Sequence, residues 1–327
     1  MMYTEDFVIS IDIGASKIAG GIVDLKNMKL ADIYFTTIDR RGGIYVIDQV
    51  YNIIRILKKD VDKISAISIV VPGIVHYDKN IVIWAPNIEQ WRDIDLASYI
   101  NENYVKEFKQ KIPVILVDDR IACALGEAYA GVARGFKNIV ALIIGSGVGA
   151  GIIIDGKPYT GSFNLTGAIG WWLLDKDITK ITEKGYLEEE IGGLHLEKEI
   201  KEFCRKNHYQ CKQILELADG NLDNITPELI FKSYDKGDKI IKAILTTKAV
   251  ILGITLANVV SLLAPDIIVL NGSVGIEIGK RFTALIKSIV HKIVNPYLQQ
   301  YINIKVSELG FKANLYGAAT FWALRHS

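Results

Sequence analysis

Apolar residues run almost unbroken through residues 7–13, 18–24 and 30–37, with Ser10 and Asp12 as the polar breaks in the first run. The Ile and Val content of these runs predicts three consecutive strands. Residues 44–57 place apolar positions at helical spacing and end in Lys58 and Lys59, which suit a helix C-terminus. A continuous apolar run, 64–71, stops at Pro72-Gly73 and predicts a buried strand. Residues 93–109 read as a helix and 114–117 as a short strand; Asp118, Asp119 and an Ala-rich helix over 121–133 follow at once.

The order then begins again. Strands are predicted over 140–144, 151–155 and 157–159. A polar stretch over 175–222 carries a helix at 187–207, and Thr226-Pro227-Glu228 is a helix start with Thr as cap. Residues 238–263 are long and mostly apolar, as in a buried helix ended by Pro265-Asp266. A strand over 267–270 runs into Asn271-Gly272-Ser273, and a helix (278–294), a strand (302–306) and a terminal helix (314–325) complete the chain. Each half reads βββ, helix, β, helix, β, helix. This alternation predicts an α/β protein of two related domains.

Two turns echo each other at the start of each half. The first is Gly14, Ala15, Ser16 and Lys17 between VISIDIG and IAGGIVD; the second is GSGVGAG, Gly145 to Gly151, between IVALIIG and IIID. Each is a small-residue hairpin turn. A nest of backbone amides in such a turn binds phosphate, and a tight hairpin without ligand has the same composition. The P-loop pattern is excluded, because no Lys-Ser/Thr follows the glycines. The dinucleotide fingerprint is excluded as well, because a strand rather than a helix follows them. Two such turns point to a nucleotide in a cleft between two related domains.

Bulk properties narrow the classes further. The 327 residues suffice for two cores, and 50% hydrophobic with 23% charged residues is globular composition. A net charge of +1 gives no pull toward nucleic acid or an anionic membrane. The three cysteines, Cys123, Cys204 and Cys211, form no framework or metal spacing, so reduced thiols in a cytoplasmic protein are expected. The N-terminal segment lacks the pattern of a signal peptide, and the longest apolar runs are too short and interrupted to span a bilayer.

Candidate chemistry gathers at strand ends. Asp12 ends the first strand beside the first turn, where a carboxylate either caps its own loop or holds Mg²⁺ against phosphates. Lys17 is a phosphate partner or a solvated lysine. Asp118-Asp119 lies between a core strand and a helix: one carboxylate serves as a cap, and the other is free to act as general base. Ala85-Pro86-Asn87 with Trp91 forms a turn whose amide can bond a polyol in both directions. The five histidines have no ligand spacing, and Trp171-Trp172 is expected in the core.

In this order the motifs resemble the ROK family of sugar kinases, within the actin/hexokinase fold, along nearly the whole chain. DIGASKIAGGIVD is similar to the family's first phosphate motif. VPGIV and APNIEQW resemble its PG and PN segments, and VDDRIACALGEAYAG its NDAN-x-AALGE. IIGSGVGAGIIIDGKPYTG, APDIIVLNGSVG and ANLYGAA match the later motifs in order.

The resemblance implies two ribonuclease-H-like domains, each a mixed β-sheet flanked by helices, with an interdomain cleft. One domain would be residues 1–118 plus 312–327, the other 119–311. It implies ATP and Mg²⁺, with Asp119 as the base toward a sugar hydroxyl, usually O6, and Asp12 holding Mg²⁺ through water. Gly14, Ala15, Ser16, Lys17, Gly145, Ser146, Gly147 and Gly149 would face the phosphates, and Gly272, Ser273 and Gly275 the adenosine. Gly73, Asn87, Asp118, Asp119, Ala168, Trp171 and Glu188 fall at sugar positions.

Three departures stand out. The family's GEIGH is here Gly167-Ala168-Ile169-Gly170-Trp171, so a Glu and a His that grip sugar hydroxyls are Ala168 and Trp171. The cysteines of the zinc loop are absent, so no zinc is expected, and Glu188 alone keeps that loop's closing acid. Asp118 stands where the family has Asn, which places a second charge by the sugar. The expectation is a cytoplasmic homodimer or higher homo-oligomer that phosphorylates a sugar and has no nucleic-acid or membrane partner. The alternative is a sugar or nucleotide sensor of weak or no activity. The resemblance implies an N-terminal helix-turn-helix in the family's repressors, which is not expected here because the first strand is predicted to begin near Phe7.

Overall fold

The structure is a computed structural model that describes residues 7–180 and 182–326. In chain order, β1 (Phe7–Ile13), β2 (Lys17–Asp24) and β3 (Lys29–Thr37) lead to α1 (Gly43–Lys58) and β4 (Ala66–Val71). Three short strands follow, β5 (Ile74–His76), β6 (Ile81–Trp84) and β7 (Arg92–Ile94), then α2 (Leu96–Phe108), β8 (Val114–Asp118) and α3 (Asp119–Tyr129). Next come β9 (Ile139–Ile144), β10 (Val148–Ile154) and β11 (Lys157–Pro158). The helices α4 (Tyr186–Ile191), α5 (Gly193–Lys206), α6 (Lys212–Leu217), α7 (Pro227–Asp235) and α8 (Lys239–Leu263) precede β12 (Ile267–Asn271). The chain ends in α9 (Ser273–Ile293), β13 (Ile304–Val306) and α10 (Lys312–His326).

Two five-stranded sheets have the matching orders β3-β2-β1-β4-β8 and β11-β10-β9-β12-β13, and β5-β6-β7 form a small third sheet. Each large sheet is mixed, an antiparallel hairpin continued by parallel strands. The echo between the two halves of the sequence is therefore a repeated topology.

Contacts divide the chain into two units. The first comprises residues 1–139, 151–166 and 311–327, and the second 140–150 and 167–310. This differs from the expected boundaries, which put residues 119–139 and 151–166 in the second domain. For residues 119–139 the reason is the contact between α3 and α10, and Gly151 packs in turn against the Arg120 backbone of α3. A side chain at Gly126 would overlap the backbone of Ala313, and one at Gly317 would overlap that of Ala122, so the two helices touch backbone to backbone.

In the first unit the alternation along β1 sorts its residues. Ile9, Ile11 and Ile13 join Val46, Val50, Ile53 and Ile54 of α1 in one core. The even positions face α10, where Asn314 bonds the Asp12 carboxylate. In the second unit Leu142, Leu252, Leu256, Ile268 and Leu270 centre a separate core.

Several elements differ from expectation. The short strands β5 and β6 lie where the sequence pattern predicts no element, and Asp93 and Ile94, expected to begin a helix, end β7 instead, with α2 starting at Leu96. The helix expected over 187–207 breaks at Gly192, whose extended backbone separates α4 from α5. The α9 helix begins at Ser273, five residues earlier than expected. Cys204 and Cys211 are disulfide-bonded, with Cα atoms 5.5 Å apart, which corrects the expectation of reduced thiols. Trp171 is 57% exposed rather than core, whereas Trp172 packs on the second core. Among the described residues α8 is the one helix long and apolar enough to cross a membrane, and its Leu245, Leu252 and Leu256 are buried in the second core.

Candidate active site

The carboxyl ends of β1 and β8 place Asp12 and Asp119 in the first unit. Asp12 sits one residue before the end of β1, paired with Ala19 on β2 and Val70 on β4. Its Oδ1 accepts a 3.1 Å hydrogen bond from Nδ2 of Asn314. Burial pushes its pKa up to about 6, against the Asn314 hydrogen bond and the charge of Lys17. Asp119 opens α3. Burial pushes its pKa up to about 7; the Arg120 charge pulls it down, and Asp118 and Asp12 push it up. A carboxylate poised near neutrality is suited to accept a proton from a substrate hydroxyl.

Asp118 is fully engaged. It is 2% exposed; Oδ1 caps α3 by accepting the N–H groups of Arg120 (3.1 Å) and Ile121 (3.2 Å), and it also accepts from Nε of Arg120 at 3.0 Å. The hydroxyl of Tyr77 donates to Oδ2. Its charge is therefore paired with a buried guanidinium, which revises the expectation of a second charge open to the sugar. Burial and this bond raise the Tyr77 pKa.

The first turn is closed by the Gly14 N–H bonding the Lys17 carbonyl at 2.9 Å. Ala15, Ser16 and Lys17 are exposed there. The Lys17 ammonium lies 5.2 Å from the Phe35 ring and 5.4 Å from the Phe311 ring, two rings in edge contact with each other. Asn87 is exposed at the tip of a loop held by the bond from Ala85 N–H to the Trp91 carbonyl and by the buried Trp91 indole, which donates to the Gly43 carbonyl. Gly73 is half-buried, bonded to Val71.

In the second unit the turn 145–149 lies against the start of α5. The Gly145 and Ser146 carbonyls accept the N–H groups of Gly193 and Leu194 at 2.8 and 3.3 Å. The Gly145 N–H bonds the Gly147 carbonyl and the Val148 N–H bonds Glu188, so between them the N–H groups of Ser146 and Gly147 are the turn's candidate donors to an anion. Glu188 sits behind this turn, its Oε2 accepting from Val148 N–H at 3.0 Å. Ala168 is half-buried, next to Gly167 at φ 80°, and the exposed Trp171 follows in a short 3₁₀ turn. Gly272, at φ 80°, lies so close to the Ile144 backbone that any side chain would overlap it, and it turns the chain directly into α9.

Beside that turn a cavity of about 410 Å³ opens between α7 and α9. Phe231, Ile276, Lys232, Ser273 and Arg281 line it. Arg281 is held by Asp235 (2.5 and 2.8 Å) and by Glu277, with its guanidinium 5.1 Å from the Phe231 ring. The sequence reading reached Gly272, Ser273 and Gly275 but not these side chains; a polar and an aromatic residue on two helices 40 to 50 positions apart leave no local motif.

No cluster of three or more His, Cys, Asp and Glu able to hold a metal exists among the described residues. A half-buried carboxylate with one amide partner, as Asp12 is, fits Mg²⁺ held mainly by a ligand's phosphates and reached through water. The amide turn at 145–147 and the cavity beside Ser273, with its Phe231 ring and charged rim, fit the phosphates and the nucleoside of ATP.

The ROK family profile matches residues 8–325. A glucokinase of Streptomyces coelicolor is 26% identical over 313 residues, covering 95% of this chain and 96% of its own. A xylose repressor of Caldicellulosiruptor bescii is 26% identical over 245 residues, which are 74% of this chain and 58% of its own length. The crystal structure of a ROK family glucokinase from Streptomyces griseus, in complex with glucose and AMPPNP, superposes with a TM-score of 0.82 at 24% identity, covering 96% and 98% of the two chains. That likeness establishes the actin/hexokinase-type fold of mixed sheets flanked by helices.

Proposed function

For a chain that belongs to the ROK family, as this one does along residues 8–325, we propose ATP-dependent phosphorylation of a sugar hydroxyl, in the manner of a hexokinase acting at O6. The observation that carries the reading is Asp119, a carboxylate at a strand end held near neutrality by burial. Support comes from relatives named glucokinase that match along 95% of the chain.

Asp119 accepts the proton of the attacking hydroxyl, which raises the nucleophilicity of that oxygen without forming a charged alkoxide in water. Phosphoryl transfer needs alignment and charge neutralisation more than covalent chemistry. The amides of Ser146 and Gly147 and the ammonium of Lys17 hold phosphate oxygens. Gly14, Ala15, Ser16 and Gly149 flank them, and the cavity of Phe231, Ile276 and Arg281 beside Ser273 and Gly275 holds the nucleoside. Mg²⁺, when bound through water to Asp12, neutralises phosphate charge. Gly73, Asn87 and Glu188 orient the sugar, and Ala168 and Trp171 leave a less polar wall where the family places Glu and His.

A second reading has its own support: relatives named xylose repressor match 74% and 96% of the chain, and Ala168 and Trp171 stand where the resemblance implies Glu and His. In that reading the chain binds sugar or nucleotide without transfer. An ADP-release assay over aldohexoses, N-acetylhexosamines and pentoses separates the two. Sugar-dependent ADP release is expected. Tight calorimetric binding of a sugar with no release on any of them would favour the sensor.

A further inference from the structure

The two residues that flank Asp119 in sequence form a buried ion pair, Arg120 Nε to Asp118 Oδ1 at 3.0 Å, with side chains 2% (Asp118) and 11% (Arg120) exposed. The pair is the centre of a longer network. Tyr77 donates to the other Asp118 oxygen. Nη2 of Arg120 donates to the Asn164 carbonyl at 3.2 Å, and Nδ2 of Asn164 donates to the Val75 carbonyl at 2.9 Å. Asn164 itself holds a left-handed backbone, φ 54°. Three segments of the first unit thus meet in one network around the guanidinium: β5 with Tyr77 directly after it, the β8–α3 junction and the 160–166 segment.

Helix capping alone does not require this. Asn or Ser at position 118 would accept the same N–H groups. Net stability does not require it either, since an apolar pair of like volume commonly equals or exceeds a buried ion pair. A planar guanidinium with several fixed donors has one property that an apolar pair lacks, which is direction. Hydrogen bonds at residue 118 and residue 120 thus hold the main chain on both sides of Asp119.

We propose that Asp118 and Arg120 are positioning residues, which aim Asp119 and pin the 160–166 segment beside it, rather than contacts to the sugar. The kinetic part of this inference rests on the kinase reading; the structural part does not. Tying the segment through its main chain, at Asn164, lets the exposed Phe163 and Leu165 on either side vary without loosening the tie.

The test is a double-variant cycle with D118N, R120M and D118N/R120M, plus R120K. Each single variant strands one buried charge and is expected to lower Tm and kcat together. The double variant removes both charges and keeps the cap. Its Tm is expected to return close to the parent, while kcat stays at least tenfold down and KM for ATP is unchanged. R120K, which keeps the charge but not the fork, is expected to recover part of kcat. Amide exchange is measured in parallel without substrate: in the double variant, exchange over 160–166 should rise at least tenfold, with the cores of both units unaffected. Return of kcat along with Tm in the double variant would overturn the positioning role. So would unchanged exchange over 160–166, whether or not the parent transfers phosphate.

Discussion

Asp119 combines two demands that conflict. A base must be ionised to accept a proton, yet burial raises its pKa to about 7. The rate is therefore expected to rise as pH increases through about 7, as the carboxyl loses its proton. Replacing it, Asp119→Asn, is expected to lower kcat by roughly 10²–10⁴-fold, the usual worth of a positioned base. The same shift has a thermodynamic sign. Its folded-state pKa lies above the unfolded value of 3.8, so the native state holds more protons between about pH 4 and 7, and stability falls as pH rises through that window. Asp12, raised to about 6, adds to the fall in the lower part of the window. Urea midpoints taken across pH 4 to 8 should show this slope in the parent and a shallower one in Asp119→Asn. At this scale the sequence was legible where chemistry sits at a strand end: Asp12 and Asp119 follow apolar runs and stand out. Their partners were not. Asn314 is 302 positions from Asp12, and Arg120 reads as an ordinary helix residue until its guanidinium is seen turned back on Asp118.

At the scale of elements, long apolar runs were read well. The β1–β3 meander, α8 and the Thr226 cap of α7 all fall where the pattern puts them, because long Ile- and Val-rich runs and a Thr-Pro-Glu helix start are local signals. The strands β5, β6 and β7, of three or four residues, are too short to show one. The break between α4 and α5 was also hidden. A distant partner accompanies it, since past the extended Gly192 the Gly193 N–H donates to the Gly145 carbonyl. Two predictions belong here. An Ile276→Arg substitution fills the cavity between α7 and α9, so KM for ATP should rise tenfold or more while KM for the sugar changes little, as read by initial rates with each substrate varied. The disulfide closes the short connection between α5 and α6, both of whose cysteines are buried in the second core. Its reduction is expected to lower unfolding stability by about 2–3 kcal/mol, the loop-closure value for so short a loop. An unchanged urea midpoint after reduction would deny it that contribution.

Across the whole molecule, the repeated hairpin turns near Gly14 and Gly145 were the first sign of a duplicated topology, and the two sheets repeat the same strand order. That repetition was legible because each half restarts with the same hydrophobic rhythm. The border between the units was not, because it depends on backbone contact between α3 and α10 across nearly 200 residues. The family contains both glucokinases and repressors among the relatives of this chain, so fold and family leave transfer and sensing to be separated by chemistry. The most direct measurement is sugar-dependent ADP release by the parent and by Asp119→Asn, at saturating ATP and with sugar affinity followed by calorimetry. A kinase that uses Asp119 as its base releases ADP on at least one sugar, and the variant loses at least a hundredfold of that rate while still binding the sugar within a few-fold. Equal turnover in the two proteins would contradict it.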